Sequence, residues 1–110
     1  MNEEDASEAV AAALAGLERA FEATVGAIQA EPDADRAYGK ATELVETLQR
    51  LIEASGDLRA QSAARIFNDE RLSLAGLAGR ISVSKARAAQ LINTAKKADG
   101  KASPATEEAQ

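Results

Sequence analysis

Apolar positions recur at helical spacing along most of the chain. Val10, Leu14, Leu17, Phe21, Val25 and Ile28 step by 4, 3, 4, 4 and 3 residues. That is the one-sided stripe of an amphipathic helix, close to a heptad seam. The spacing predicts a first helix over residues 7–30, with Glu18, Arg19, Glu22 and Gln29 off the stripe. Pro32 then interrupts, because proline lacks an amide donor and disfavours helical geometry at the residue before it. Asp33 is placed to cap a second helix, and Asp35 in its first turn suits the helix dipole. This helix carries Ala37, Tyr38, Ala41, Leu44, Val45, Leu48, Leu51 and Ile52, and Ser55-Gly56 reads as its end. Glycine suits the left-handed position beyond a helix C-terminus. Two amphipathic helices joined by a short turn read as an antiparallel hairpin.

Beyond residue 56 the pattern changes scale. Asp57 is placed to cap a third helix over 58–68, with Leu58, Ala63, Ile66 and Phe67 facing inward. Asn68-Asp69-Glu70 is a polar break. Ser73 then caps a short helix over 74–80, Ser82-Val83-Ser84 forms a tight turn, and Ser84 caps a last helix over 85–98. Residues 99–110 contain no large apolar side chain and no periodicity, and read as a disordered tail. The expected fold class is therefore all-α. A helical hairpin over 1–56 is followed by a trihelical unit over 57–98 and a tail over 99–110.

Composition limits the core. Of the 110 residues 27 are alanine, against ten Leu, five Ile, four Val, two Phe, one Met and one Tyr. Alanine forms helices well but fills little core volume. The hairpin stripes therefore call for cover, either from the remainder of the chain or from a second copy, and the second copy is the expected source. Leu14, Leu17 and Phe21 on the first helix, with Leu44, Leu48 and Leu51 on the second, are the expected dimerisation residues.

Charge locates the chemistry. The net charge is −5, but residues 1–56 hold twelve acids and four bases, whereas residues 57–101 hold four acids and nine bases. An acidic hairpin thus precedes a segment of net charge +5, a distribution that suits a nucleic-acid-binding part. Enzyme chemistry is poorly provided for. The absence of His and Cys removes the histidine base, the thiol nucleophile and the thiolate metal site. Asp33-Ala-Asp35 fails as the start of a calcium loop, because Ala37, Tyr38 and Leu44 stand where a ligand, a glycine and a glutamate are required. No catalytic residue, metal site or cofactor is expected. No apolar run reaches the roughly 18 residues of a membrane span, and the acidic start at 1–5 is unlike a signal peptide, so a cytoplasmic location is expected.

Residues 74–93, Leu-Ala-Gly-Leu-Ala-Gly-Arg-Ile-Ser-Val-Ser-Lys-Ala-Arg-Ala-Ala-Gln-Leu-Ile-Asn, resemble a helix-turn-helix DNA-binding motif. Ala78 is the small residue that lets the two helices cross closely. Leu74, Leu77 and Ile81 lie before the turn, Val83 within it, and Ala88, Leu91 and Ile92 after it. Within that superfamily the segment looks most like the fourth region of bacterial sigma factors, although the chain is not a complete sigma factor. Ser82 stands where the family usually has glycine, and Ala88 where it usually has Val or Ile. The resemblance implies that Ser84, Lys85, Ala86, Ala89, Gln90 and Asn93 face base edges in the major groove. It implies that Arg71, Ser73, Arg80, Arg87, Lys96 and Lys97 hold phosphates. Arg59 is placed to extend the basic face, and Arg65 either to extend it or to pair with the acidic hairpin. The expected function is a small transcriptional regulator, binding double-stranded DNA as a homodimer. The alternative is an adaptor whose hairpin and helix-turn-helix dock on a protein, such as part of the transcription machinery.

Overall fold

Asn2 opens the first helix. Its Oδ1 accepts the Asp5 amide at 2.9 Å, satisfying one of the free donors at the start of α1 (Glu3–Gln29). The helix thus begins four residues before the predicted start at residue 7. Its acidic first turn, Glu3, Glu4 and Asp5, suits the dipole. The Ala30 amide donates to the Gly26 carbonyl and the Glu31 amide to that of Ile28, closing the helix just before Pro32. Asp33 then does what its position predicts. Its Oδ1 accepts the amides of Asp35 and Arg36 at 2.9 and 3.3 Å. The Glu31 carboxylate accepts the Asp33 amide at 3.0 Å and pairs with Arg36 at 3.5 Å.

In this computed structural model, which describes residues 2–101, the next element departs from expectation. α2 (Ala34–Asp69) is one helix of 36 residues. The predicted break at Ser55-Gly56 does not occur, and Asp57 lies inside the helix rather than at the start of another. Ser55 Oγ donates to the Leu51 carbonyl at 2.7 Å, a tie that a helix interior accommodates. Among the described residues no glycine has positive φ, so Gly56 is no left-handed cap. Leu48, Gly56, Ala60, Ala63 and Phe67, all buried or half-buried, carry one helical phase across the glycine.

Two further helices follow, α3 (Leu74–Arg80) and α4 (Lys85–Lys101). Ser73 Oγ accepts the Gly76 amide and Ser84 Oγ that of Arg87, each at 3.0 Å. Both predicted caps are therefore in place. α4 passes through Asp99 and Gly100, three residues beyond the predicted end; the remainder of the predicted tail, 102–110, lies outside the described residues. Of the described residues 87% are helical and none lies in a strand. None of its described helices is long and apolar enough to cross a membrane.

The chain divides into two compact units, Met1–Thr47 and Leu48–Gln110, so the division falls inside α2 rather than at 56/57. In the first unit α1 and the start of α2 face each other near the turn. Ala23, Thr24, Ala27 and Ile28 there share a groove with Lys40, Glu43, Leu44 and Thr47. Val25, Ile28, Ala37, Ala41 and Leu44 are half-buried, but no residue of α1 is buried.

The second unit holds the core. Ala60 and Ala63 of α2 pack with Leu91 and Ala95 of α4, while Leu77 and Ala78 of α3 pack with Ala88 and Ile92. Ala64 and Ile81 touch both clusters, and Ile66, Phe67, Leu72, Leu74 and Val83 close the second. Six of the nine buried apolar residues are alanine. The core is built by bringing helices close rather than by filling space with large side chains. Leu58, expected inside, is 64% exposed, and the inward position on that part of α2 belongs to Ala60.

Candidate nucleic-acid interface

Two helix ends set the position of α4. At the end of α2 the Leu72 amide donates to the Phe67 carbonyl at 3.0 Å and the Arg71 amide to that of Asn68 at 3.3 Å. This paired pattern is the Schellman motif, with Arg71 in its left-handed position at φ 53°. Leu72 and Phe67 pack against the same cluster, completing the motif's apolar contact. At the end of α3 the Val83 amide reaches the Ala78 carbonyl at 2.9 Å, and Ser82 takes the left-handed conformation at φ 60°. Ser82, standing where the motif favours glycine, thus adopts the conformation glycine would supply. Val83 is drawn onto the apolar cluster, and Ser84 is left to cap α4.

With its inner face fixed, α4 presents a defined outer one. At about 100° per residue, the buried Ala88, Leu91, Ile92, Ala95 and Ala98 mark the inner face. Ala86, Gln90, Asn93 and Lys97 stand opposite and are exposed. Lys85, Ala89 and Lys96 occupy one flank, Arg87 and Thr94 the other. Of the expected base readers, Ser84, Lys85, Ala86, Gln90 and Asn93 are exposed, whereas Ala89 is half-buried. Ala89 lines a groove with Phe67, Leu74 and Ile92. The Ser84 hydroxyl already accepts an amide, which leaves its hydrogen as the group still free to donate.

The expected phosphate holders occupy varied settings. Arg71, Ser73, Lys96 and Lys97 are exposed. Arg80 pairs with Glu70 at 3.4 Å, joining the end of α3 to the end of α2, and both side chains remain about half exposed. An exposed pair of this kind is weak and exchangeable. Arg87 Nη1 donates to Gln90 Oε1 at 3.4 Å, bringing together a residue assigned to phosphate and one assigned to bases. Arg87 also shares a groove with Arg59 and Ser62 of α2, beside Ile81, Val83 and Leu91. Arg59 was placed on the basic face by charge alone, and the fold brings it to that groove. The expected dimerisation set is split between the units: Leu14, Leu17, Phe21 and Leu44 fall in the first, Leu48 and Leu51 in the second. Leu44 and Leu48 are half-buried and the other four are exposed.

Among the described residues no cluster of acidic side chains is arranged to hold a metal ion. No known protein family, curated protein or solved structure matches the chain.

Proposed function

We propose that the chain is a small DNA-binding regulator in which α3, the turn at Ser82 and α4 form a helix-turn-helix of the sigma region 4 kind. The observation that carries this reading is the build of α4. The helix is capped at its start by Ser84 and held along its inner face by Leu77 and Ala78, and it leaves a polar outer arc of Gln90, Asn93 and Lys97. A recognition helix needs this combination, because base edges are read by side chains whose backbone is already fixed. The excess of bases over acids in 57–101 adds sequence-independent attraction to phosphates. Two copies joined through the first unit would read an inverted repeat, with half-site centres about 34 Å apart.

The test is selection of bound duplexes from a random pool, followed by titration of the winner across ionic strength. A DNA reader enriches a defined half-site and loses affinity steeply as salt rises, because phosphate contacts release counterions. Absence of duplex binding at low salt overturns the proposal. One observation favours the adaptor reading instead. Ile52 and Leu58 on α2 are exposed in the second unit, where the DNA reading has no use for them. An adaptor would bind a protein partner through such positions and show no duplex affinity.

A further inference from the structure

Two arginines of the second unit meet at an apolar groove with no acid to answer them. Arg59 and Ser62 come from α2 and Arg87 from α4, and Ile66, Ile81, Val83 and Leu91 supply an apolar floor. The groove holds about 300 Å³. Other long bases of the chain have acids at hand. Arg36 pairs with Glu31 and Asp33, Lys40 with Glu43, and Arg80 with Glu70. The groove beside Ala89 is lined by Asp99 as well as Lys96. Arg59 and Arg87, by contrast, form no ion pair among the described residues, and none of those residues brings a carboxylate to their groove. The sequence gives the reason. Ion pairs along a helix form between residues three or four apart. Arg59 has Ser55, Gly56, Ser62 and Ala63 at those spacings, and Arg87 has Val83, Ser84, Gln90 and Leu91. Arg87 donates to Gln90 at 3.4 Å, which leaves most of the five guanidinium donors free.

Charge and surface together define what is missing. A guanidinium takes a carboxylate by two parallel N–H···O bonds. An aliphatic floor takes a large apolar side chain out of water. A phosphodiester backbone would answer the arginines but leave the floor wet. We propose that this groove docks an acidic amphipathic segment of a partner protein. One large apolar side chain of that segment rests on Ile66, Ile81, Val83 and Leu91, and carboxylates on either side of it pair with Arg59 and Arg87. The inference goes beyond the DNA reading and does not depend on it. At 100° per residue, Ala86, Gln90, Asn93 and Lys97 lie about a quarter turn round α4 from Arg87. A segment seated in the groove therefore leaves the outer arc open. In this arrangement Arg87 serves the groove rather than a phosphate.

The probe is a set of labelled peptides, each about three helical turns long. One series carries a central Leu or Phe flanked by Glu. The others carry the same anchor flanked by Gln, the same anchor flanked by Lys, or a central Ser flanked by Glu. Binding to the full chain is read by fluorescence anisotropy. The anchored Glu series should bind about tenfold or more tighter than the Gln series, as one charge-assisted contact is worth. It should exceed the Ser series by a similar factor. Arg59→Glu and Arg87→Glu should each lose this affinity and gain affinity for the Lys series. Ser62→Trp fills the groove without changing its charge and should also lose it. Arg65→Glu makes the same charge change on α2 outside this groove and should retain it. Circular dichroism checks that each variant is helical. Equal binding of the Glu and Gln series overturns the proposal, as does equal loss in Arg65→Glu and Arg59→Glu. A different occupant overturns it too. In that case no peptide of the set binds, while Ser62→Trp abolishes duplex affinity or self-association in sedimentation.

Discussion

Arg71 and Ser82 hold left-handed backbone, at φ 53° and 60°, each at the residue that ends a helix by a back-reaching amide bond. A side chain at such a position costs roughly 1–2 kcal/mol, and glycine avoids this at a smaller entropic cost in the unfolded chain. Ser82→Gly is therefore expected to raise stability by about 0.5–1 kcal/mol in urea denaturation, with the slope unchanged. Arg71→Gly should bring a similar gain but also remove one cation from the expected phosphate set. In the DNA reading its log–log salt slope should fall by about one while stability rises. The two positions differ in how visible they are from sequence. Ser82 is marked by its place in the helix-turn-helix pattern and by the serine cap two residues on. Arg71 carries no such mark, since arginine has no preference for left-handed backbone. Its conformation is set by Leu72 returning to Phe67, a contact that exists only once the helix end is in place. Ser73→Ala and Ser84→Ala each remove an observed cap and should each cost about 1 kcal/mol.

At the scale of elements the instructive residue is Gly56. Read locally, Ser-Gly after an apolar stripe ends a helix. In the fold, Gly56 is helical and a Cβ there would meet nothing within 4 Å. Gly56→Ala should thus stabilise by about 0.5–1 kcal/mol, as expected for a helix interior. At a left-handed cap the same change would destabilise, so thermal denaturation separates the two readings by sign. The signal for continuity is the phase shared by Leu48, Gly56, Ala60, Ala63 and Phe67. It is hard to see from sequence because three of its five positions are Gly or Ala. The same difficulty hides the core, since Ala60, Ala95 and Ala98 look like ordinary helix formers until the helices they join are placed. Elements with a large residue and a cap, such as α3 and the start of α4, were legible to within a residue. Leu77, fully buried between α3 and α4, should cost about 2–5 kcal/mol when replaced by alanine. Ala88→Leu at a fully buried contact should cost about 1–3 kcal/mol by overpacking.

For the molecule as a whole, the division of charge and the division of burial coincide in purpose. The first unit is acidic and leaves its apolar stripe uncovered, while the second closes its own core and carries the excess of bases. If the first unit joins copies and the second reads DNA, the two activities are separable by mutation. Gln90→Ala removes a polar group from the outer arc of α4 and should relax sequence preference, costing about 1–3 kcal/mol on the selected half-site. Lys96→Ala, on the flank, should weaken all duplexes about equally and lower the salt slope by about one. Leu17→Asp touches neither side chain nor the core that supports them. A charge in a paired seam is costly, so this variant should run as a monomer in sedimentation. Its affinity for a single half-site should equal that of the unaltered chain, because α3 and α4 are intact. Its affinity for the inverted repeat should fall towards that single-site value, since linkage between copies supplies an effective concentration worth about 10²–10⁴ in avidity. A variant that became monomeric yet bound the inverted repeat undiminished would show that pairing through α1 plays no part in reading DNA.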